Sequence, residues 1–120
     1  MDKRHFRSVL GKFATGVTIV TTIENRHPKG ITANSFTSVS LDPPLVLFCL
    51  GKDSTNFQAF NEANFFAVNI LSNEQTELSN RFAAYDGDRF AGVNWKNWET
   101  GAPILDGAIA AIDCVRKKLI

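Results

Sequence analysis

Three short segments hold side chains suited to gripping a small molecule. The first is Gly30-Ile31-Thr32-Ala33-Asn34-Ser35-Phe36-Thr37-Ser38-Val39-Ser40-Leu41-Asp42-Pro43-Pro44. Thr32, Asn34, Ser35, Thr37, Ser38 and Ser40 set many small donors and acceptors, and no charge, in sequence that otherwise reads as strand. A neutral ring with polar atoms on its rim suits such a lining; a polar edge strand and loop would read the same way. The second is the turn Lys52-Asp53-Ser54-Thr55 at a predicted helix start, where free backbone N–H groups, Lys52 and two hydroxyls could receive an anion. A plain capped helix is the other use of this pattern. The third is Asp86-Gly87-Asp88-Arg89-Phe90, in which Arg89 could clamp a phosphate or simply stand solvated on a loop.

The rest of the inventory argues against chemistry performed by the protein's own side chains. His5 and His27 are the only histidines, and neither they nor Cys49 and Cys114 have zinc-ligand spacing. Asp86 and Asp88 open like a calcium loop, but the later ligands are missing. There is no nucleophile elbow and no glycine-rich nucleotide motif. The carboxylates are dispersed. No catalytic side chain and no metal is expected, which leaves room for a bound organic cofactor to carry the chemistry.

Bulk composition narrows the setting. A chain of 120 residues with 44% hydrophobic and 21% charged residues is one ordinary globular domain, spanning 1–120. Thirteen basic and 12 acidic residues give a net charge of +1, without the basic face that nucleic acid requires. No apolar run approaches the ~20 residues of a membrane span, and no signal-peptide block follows Met1. Cys49 and Cys114 sit in apolar strand-like runs and read as buried thiols, pointing to the cytoplasm.

Elements follow from periodicity. Phe6, Val9, Leu10 and Phe13 have helical spacing, with Asp2 as cap and Gly16 as stop. Residues 17–23 are rich in β-branched side chains and predict a strand. Residues 24–29, with Pro28, predict a hairpin loop, and 30–36 a returning strand. The apolar run Leu45–Leu50 predicts a strand buried on both faces. Thr55 and Gln58, then Ser72 and Gln75, have capping-box spacing, the second opening a helix with Leu78 and Phe82 inward. Residues 65–71 predict a strand, 95–103 an irregular stretch, and 104–120 one or two strands turning at Asp106-Gly107. Strands outnumber helices, so the fold is expected to be mainly β, an antiparallel barrel or sandwich with peripheral helices. The last residues are strand-like to the end, which predicts an edge covered by a partner chain or by further strands.

Several of these segments together resemble the flavin reductase-like family, whose fold is the FMN-binding split barrel. The resemblance is carried by Phe13-Ala14-Thr15-Gly16-Val17-Thr18-Ile19-Val20-Thr21, by residues 30–46, by Ser54, and by Phe65-Phe66-Ala67-Val68-Asn69-Ile70-Leu71. Asp88-Arg89-Phe90-Ala91-Gly92 and Pro103-Ile104-Leu105-Asp106-Gly107-Ala108 extend it over roughly residues 4–115 in the expected order. It implies an antiparallel split β-barrel, incomplete at the C-terminus, because family members run on through more strands and a Gly-Asp-His segment beside the nicotinamide. It also implies a homodimer with FMN or FAD near the subunit interface. Thr32, Ala33, Asn34, Ser35 and Phe36 would edge the isoalloxazine, and Ser38, Val39 and Ser40 would approach it. Lys52, Ser54 and Thr55 would face the ribityl chain or phosphate, and Arg89 the phosphate. The implied activity is NAD(P)H-dependent reduction of flavin, with NADH or NADPH as co-substrate. The reduced flavin would diffuse to a flavin-dependent monooxygenase. A flavin-binding module or electron-transfer subunit without turnover is the alternative.

Overall fold

The computed structural model describes residues 2–13, 17–33 and 35–117, with the backbone alone for 10–13. The helix stop expected at Gly16 and the site role expected of Asn34 lie outside the described residues, as do the side chains of Leu10 and Phe13. Helix α1 (Lys3–Phe13) starts where Asp2 accepts the His5 N–H at 2.7 Å, and it buries Phe6 and Val9. Strands β1 (Thr18–Glu24) and β2 (His27–Ala33) then pair as a hairpin. The expected six-residue loop shrinks to Asn25-Arg26, both at positive φ (50° and 70°). Pro28 stands inside β2 opposite Ile23, which the ladder tolerates because β2 is an edge strand.

Strands β3 (Thr37–Leu41) and β4 (Pro44–Leu47) form a second hairpin, with an irregularity between Ser38 and Ser40. This corrects the expectation of a doubly buried strand over 45–50. β4 pairs only with β3, outside the main sheet, so Val46 packs against the core while Leu47 is exposed. An apolar run without alternation does not say how many faces are covered. Cys49 lies beyond the end of β4 and is exposed, not buried as expected; Cys114 is half-buried and both thiols are free.

Helix α2 (Phe57–Glu62) begins after Asn56 without a side-chain cap, so the expected Thr55–Gln58 box does not form. The Ser54 hydroxyl instead accepts the Asn56 N–H at 3.3 Å. Strand β5 (Phe65–Ile70) leads through a 3₁₀ turn (Asn73–Gln75) into α3 (Thr76–Ala84). Here the expected pairing is present: the Ser72 N–H donates to Gln75 Oε1 at 2.9 Å. Short strands β6 (Trp95–Lys96) and β7 (Ile104–Leu105) pair with each other, and the chain turns at Gly107 (φ 87°) into β8 (Ala110–Val115).

The main sheet runs β2-β1-β5-β8, every pair antiparallel. Alternation along the strands divides the core between its two faces. Val20, Ile31, Val68, Ile70 and Ile112 pack with Phe6, Val9 and Phe60 of α1 and α2. Ile19 packs on the opposite face with Phe82 of α3, Phe90 and Leu105. That second face carries a buried polar knot. Asn69 donates to Ile19 O (3.2 Å), Pro103 O (3.3 Å) and Thr21 Oγ1 (3.4 Å), and accepts the Leu105 N–H (2.8 Å). Thr21 donates to Pro103 O at 2.6 Å. One amide and one hydroxyl thus pin β7 to the sheet. The fold is mainly β and antiparallel with peripheral helices, as expected. Among the described residues the sheet is open and no barrel closes.

Candidate functional site

A cavity of about 440 Å³ opens along the outer edge of β2, within the usual size of small-molecule sites. Ile31, Thr32 and Ala33 of β2, with Ser35 beyond, form one wall. The turn Cys49–Thr55 contributes Cys49, Leu50, Gly51, Ser54 and Thr55. The third wall is the end of α3 and the loop after it, with Phe82, Ala83, Ala84, Asp86 and Arg89. The three segments singled out in the sequence therefore converge on one hollow.

The convergence is selective. Thr32, Ala33, Ser35, Ser54, Thr55 and Arg89 line the cavity. Phe36 lies in the core, packed with Val68 and Ile70, and does not line it. Ser38, Val39 and Ser40 belong to the β3–β4 hairpin, where Ser40 Oγ accepts the Asp42 N–H at 3.2 Å. Lys52 is exposed on the turn, outside the lining. Sequence reasoning missed the contribution of α3. Its C-terminal turn supplies a full wall, yet only the inward position of Phe82 was legible in the helical spacing.

Several hydroxyls expected to face a ligand are spent on the protein. The Thr32 hydroxyl donates to Ser79 O. Ser35 Oγ accepts the Cys49 N–H (2.9 Å) and donates to Cys49 O (3.2 Å), fastening the end of β2 to the turn. What the β2 edge offers is backbone. Gly30 O points outward to Arg89, and residues two apart on a strand share an orientation, so the Thr32 main chain faces the same edge. On the turn, Ser54 N–H and Phe57 N–H are used internally. The N–H groups of Gly51, Lys52, Asp53 and Thr55 take no backbone acceptor among the described residues.

Arg89 is bound to the wall it belongs to. Its Nε donates to Tyr85 O (2.9 Å), and its Nη1 to Phe82 O (2.7 Å) and Gly30 O (3.0 Å). Only Nη2 takes no protein acceptor among the described residues. Burial lowers the Arg89 pKa from its ordinary value, and the nearby Asp86 carboxylate opposes that shift. Among the described residues the lining carries one basic and one acidic side chain, Arg89 and Asp86.

This donor set fits a flavin. Ile31, Ala33 and Leu50 could offer apolar surface to a ring, the β2 edge backbone partners for its rim, and the turn N–H groups and hydroxyls for a polyol and phosphate. The family model for a flavin reductase like domain matches residues 10–119. The chain belongs to the flavin reductase-like family. Among the relatives of this flavin reductase-like chain, the reductase subunit HsaB of a flavin-dependent monooxygenase from Rhodococcus jostii is 48% identical over 114 residues. That alignment covers 95% of this chain and 58% of the relative. The crystal structure of nitrilotriacetate monooxygenase component B from Mycobacterium thermoresistibile superposes with a TM-score of 0.82 at 46% identity, covering 97% of this chain and 65% of that one. The Streptomyces globisporus NADH:FAD oxidoreductase SgcE6, solved with NAD and FAD fragments, superposes with a TM-score of 0.81 at 39% identity, covering all of this chain and 75% of that one. The chain spans about three fifths of the length of the first curated relatives it matches.

Proposed function

We propose that this chain is the flavin-binding part of an NAD(P)H-dependent flavin reductase that supplies reduced flavin to a monooxygenase. The observation that carries the reading is the meeting of Thr32, Ala33 and Ser35 with Ser54, Thr55 and the α3 end around one cavity. The names of the relatives support it: one is a monooxygenase reductase subunit and another an NADH:FAD oxidoreductase.

A bound flavin would supply the redox chemistry, with a reduced nicotinamide as the source of the hydride equivalent. The protein's own task is positioning. The apolar residues Ile31, Ala33 and Leu50, which line the cavity, would shelter the ring from water, and the β2 edge at Thr32 would hold its rim. The turn with Ser54 and Thr55 receives the ribityl and phosphate groups through N–H and hydroxyl donors. No acid or base is required of the side chains, which suits a lining whose ionisable groups among the described residues are Cys49, Asp86 and Arg89.

The same reading makes the protein a homodimer in the cytoplasm. The β8 edge and the exposed Val39, Leu47 and Val115 offer apolar surface to a second copy, and the free cysteines suit a reducing compartment. Among the described residues no helix is long and apolar enough to cross a membrane. Titration of the purified protein with FMN and FAD, read by quenching of flavin fluorescence, should show saturable binding. NADH should then be consumed when flavin is added. Binding without consumption supports a flavin carrier instead, and no binding to either flavin rejects the reading.

A further inference from the structure

The geometry points to Arg89 as a positioning residue, a strut that sets the distance between β2 and the end of α3 across the flavin cavity, and not as a clamp on the phosphate. This rests on the flavin reading above.

The hydrogen bonds decide between the two roles. A guanidinium grips a phosphate best with two parallel N–H groups presented together. Both Nη1 hydrogens of Arg89 are already used, one on Phe82 O and one on Gly30 O, and Nε is on Tyr85 O. Neither fork is free, and only Nη2 remains. The three acceptors have a common logic. Phe82 O and Tyr85 O are at the C-terminal end of α3, where helix carbonyls lack intrahelical partners. Gly30 O is on the unpaired edge of β2. One side chain therefore ties a helix end to a sheet edge at the point where the cavity forms between them.

Arg89 is itself held from the other side. Arg81 of α3 donates through Nε to Arg89 O (2.8 Å) and through Nη2 to Asp88 O (2.9 Å) and Ala91 O (3.1 Å). The Arg81 guanidinium also lies 5.1 Å from the Tyr85 ring centre. The two arginines interlock: each binds carbonyls on the segment that carries the other. The loop after α3 is thus fixed as a wall. A strut serves every flavin equally, whereas a phosphate clamp serves only the phosphorylated ones.

The test compares riboflavin, FMN and FAD on the full chain, unmodified and as Arg89→Lys and Arg81→Lys, by fluorescence quenching well below the melting temperature. A lysine cannot reproduce the fork to three carbonyls. Arg89→Lys is expected to weaken all three flavins by the same factor, about tenfold for the lost charged hydrogen bonds. The visible circular dichroism of riboflavin at saturation should also change shape, because the wall against the ring has moved; a general loss of stability would leave that band unaltered. Arg81→Lys, outside the lining, should weaken the three flavins in parallel too. Loss confined to FMN and FAD, an unchanged band, or unchanged affinities would overturn the strut. If Arg89→Lys does not fold, the Arg81→Lys comparison decides by the same criteria. Failure of the unmodified chain to bind any of the three rejects the flavin reading itself, a result separate from these.

Discussion

Phe82 occupies the space that a side chain at Gly30 would need. A Cβ built on Gly30 would stand 2.6 Å from Phe82 Cε2 and 2.8 Å from Cδ2, with Phe90 3.3 Å away. Phe82 and Phe90 meet edge to face at 4.9 Å between ring centres and are fully or nearly fully buried. The close approach of α3 to β2 therefore depends on a hydrogen atom at position 30. The same glycine's carbonyl receives Arg89, so the packing and the strut share one residue.

Gly30→Ala should lower stability by about 1–3 kcal/mol, the usual cost of overpacking a filled core. Denaturant titration followed by circular dichroism measures it. Flavin affinity should fall as well, since Phe82 forms part of the cavity wall. An alanine variant as stable as the parent would mean that α3 can shift without strain.

Asn69 is fully buried and serves four partners on β1 and around β7. Asn69→Leu keeps similar bulk but strands the Leu105 N–H and weakens the hold on Pro103 O. About 1–3 kcal/mol of stability should be lost for each buried group left unpaired. Amide hydrogen exchange should quicken at Leu105 and Asp106 ahead of the central strands.

Cys114 should behave as an alkaline stability sensor. Burial, with Asp113 adding to it, pushes its thiol from 9.0 up to about 12. Its folded pKa lies above its unfolded one, so the stabilisation is fully present below pH 9 and is lost as pH rises towards 12. Replacing Cys114 with Ala should flatten the fall in stability over that window. In the native protein at pH 8 a thiol reagent should label exposed Cys49 quickly and Cys114 only after unfolding.

Asp86 places a carboxylate in the cavity lining beside Arg89. It repels a phosphate and has no such effect on an uncharged polyol. Asp86→Asn should tighten FMN about two- to fivefold, the range of an exposed charge interaction, while leaving riboflavin unchanged. The gain should shrink as salt is raised. Equal gains for FMN and riboflavin would show that the carboxylate acts on the ring or the loop, not on the phosphate.

What could be read from the chain alone was local. The β-branched run at β1, the Asp2 cap, the Ser72–Gln75 pairing and the Gly107 turn each depend on residues a few positions apart. Errors arose where local cues were ambiguous. Pro28 looked like a loop until β2 proved to be an edge, and Leu45–Leu50 looked central until β4 proved to pair with β3 alone.

Residue types were compatible with a neutral, polar ligand lining and equally with a polar edge strand, and the order of motifs announced the family. Only the tertiary structure decided which of those polar atoms are available. The Thr32 hydroxyl turns to Ser79 O, and Arg89 spends three donors on carbonyls from two elements, one of them 59 residues away. A hydrogen bond's partner is set by which segments pack together. That is a long-range outcome of core burial on both faces of the sheet, and spacing along the chain does not encode it.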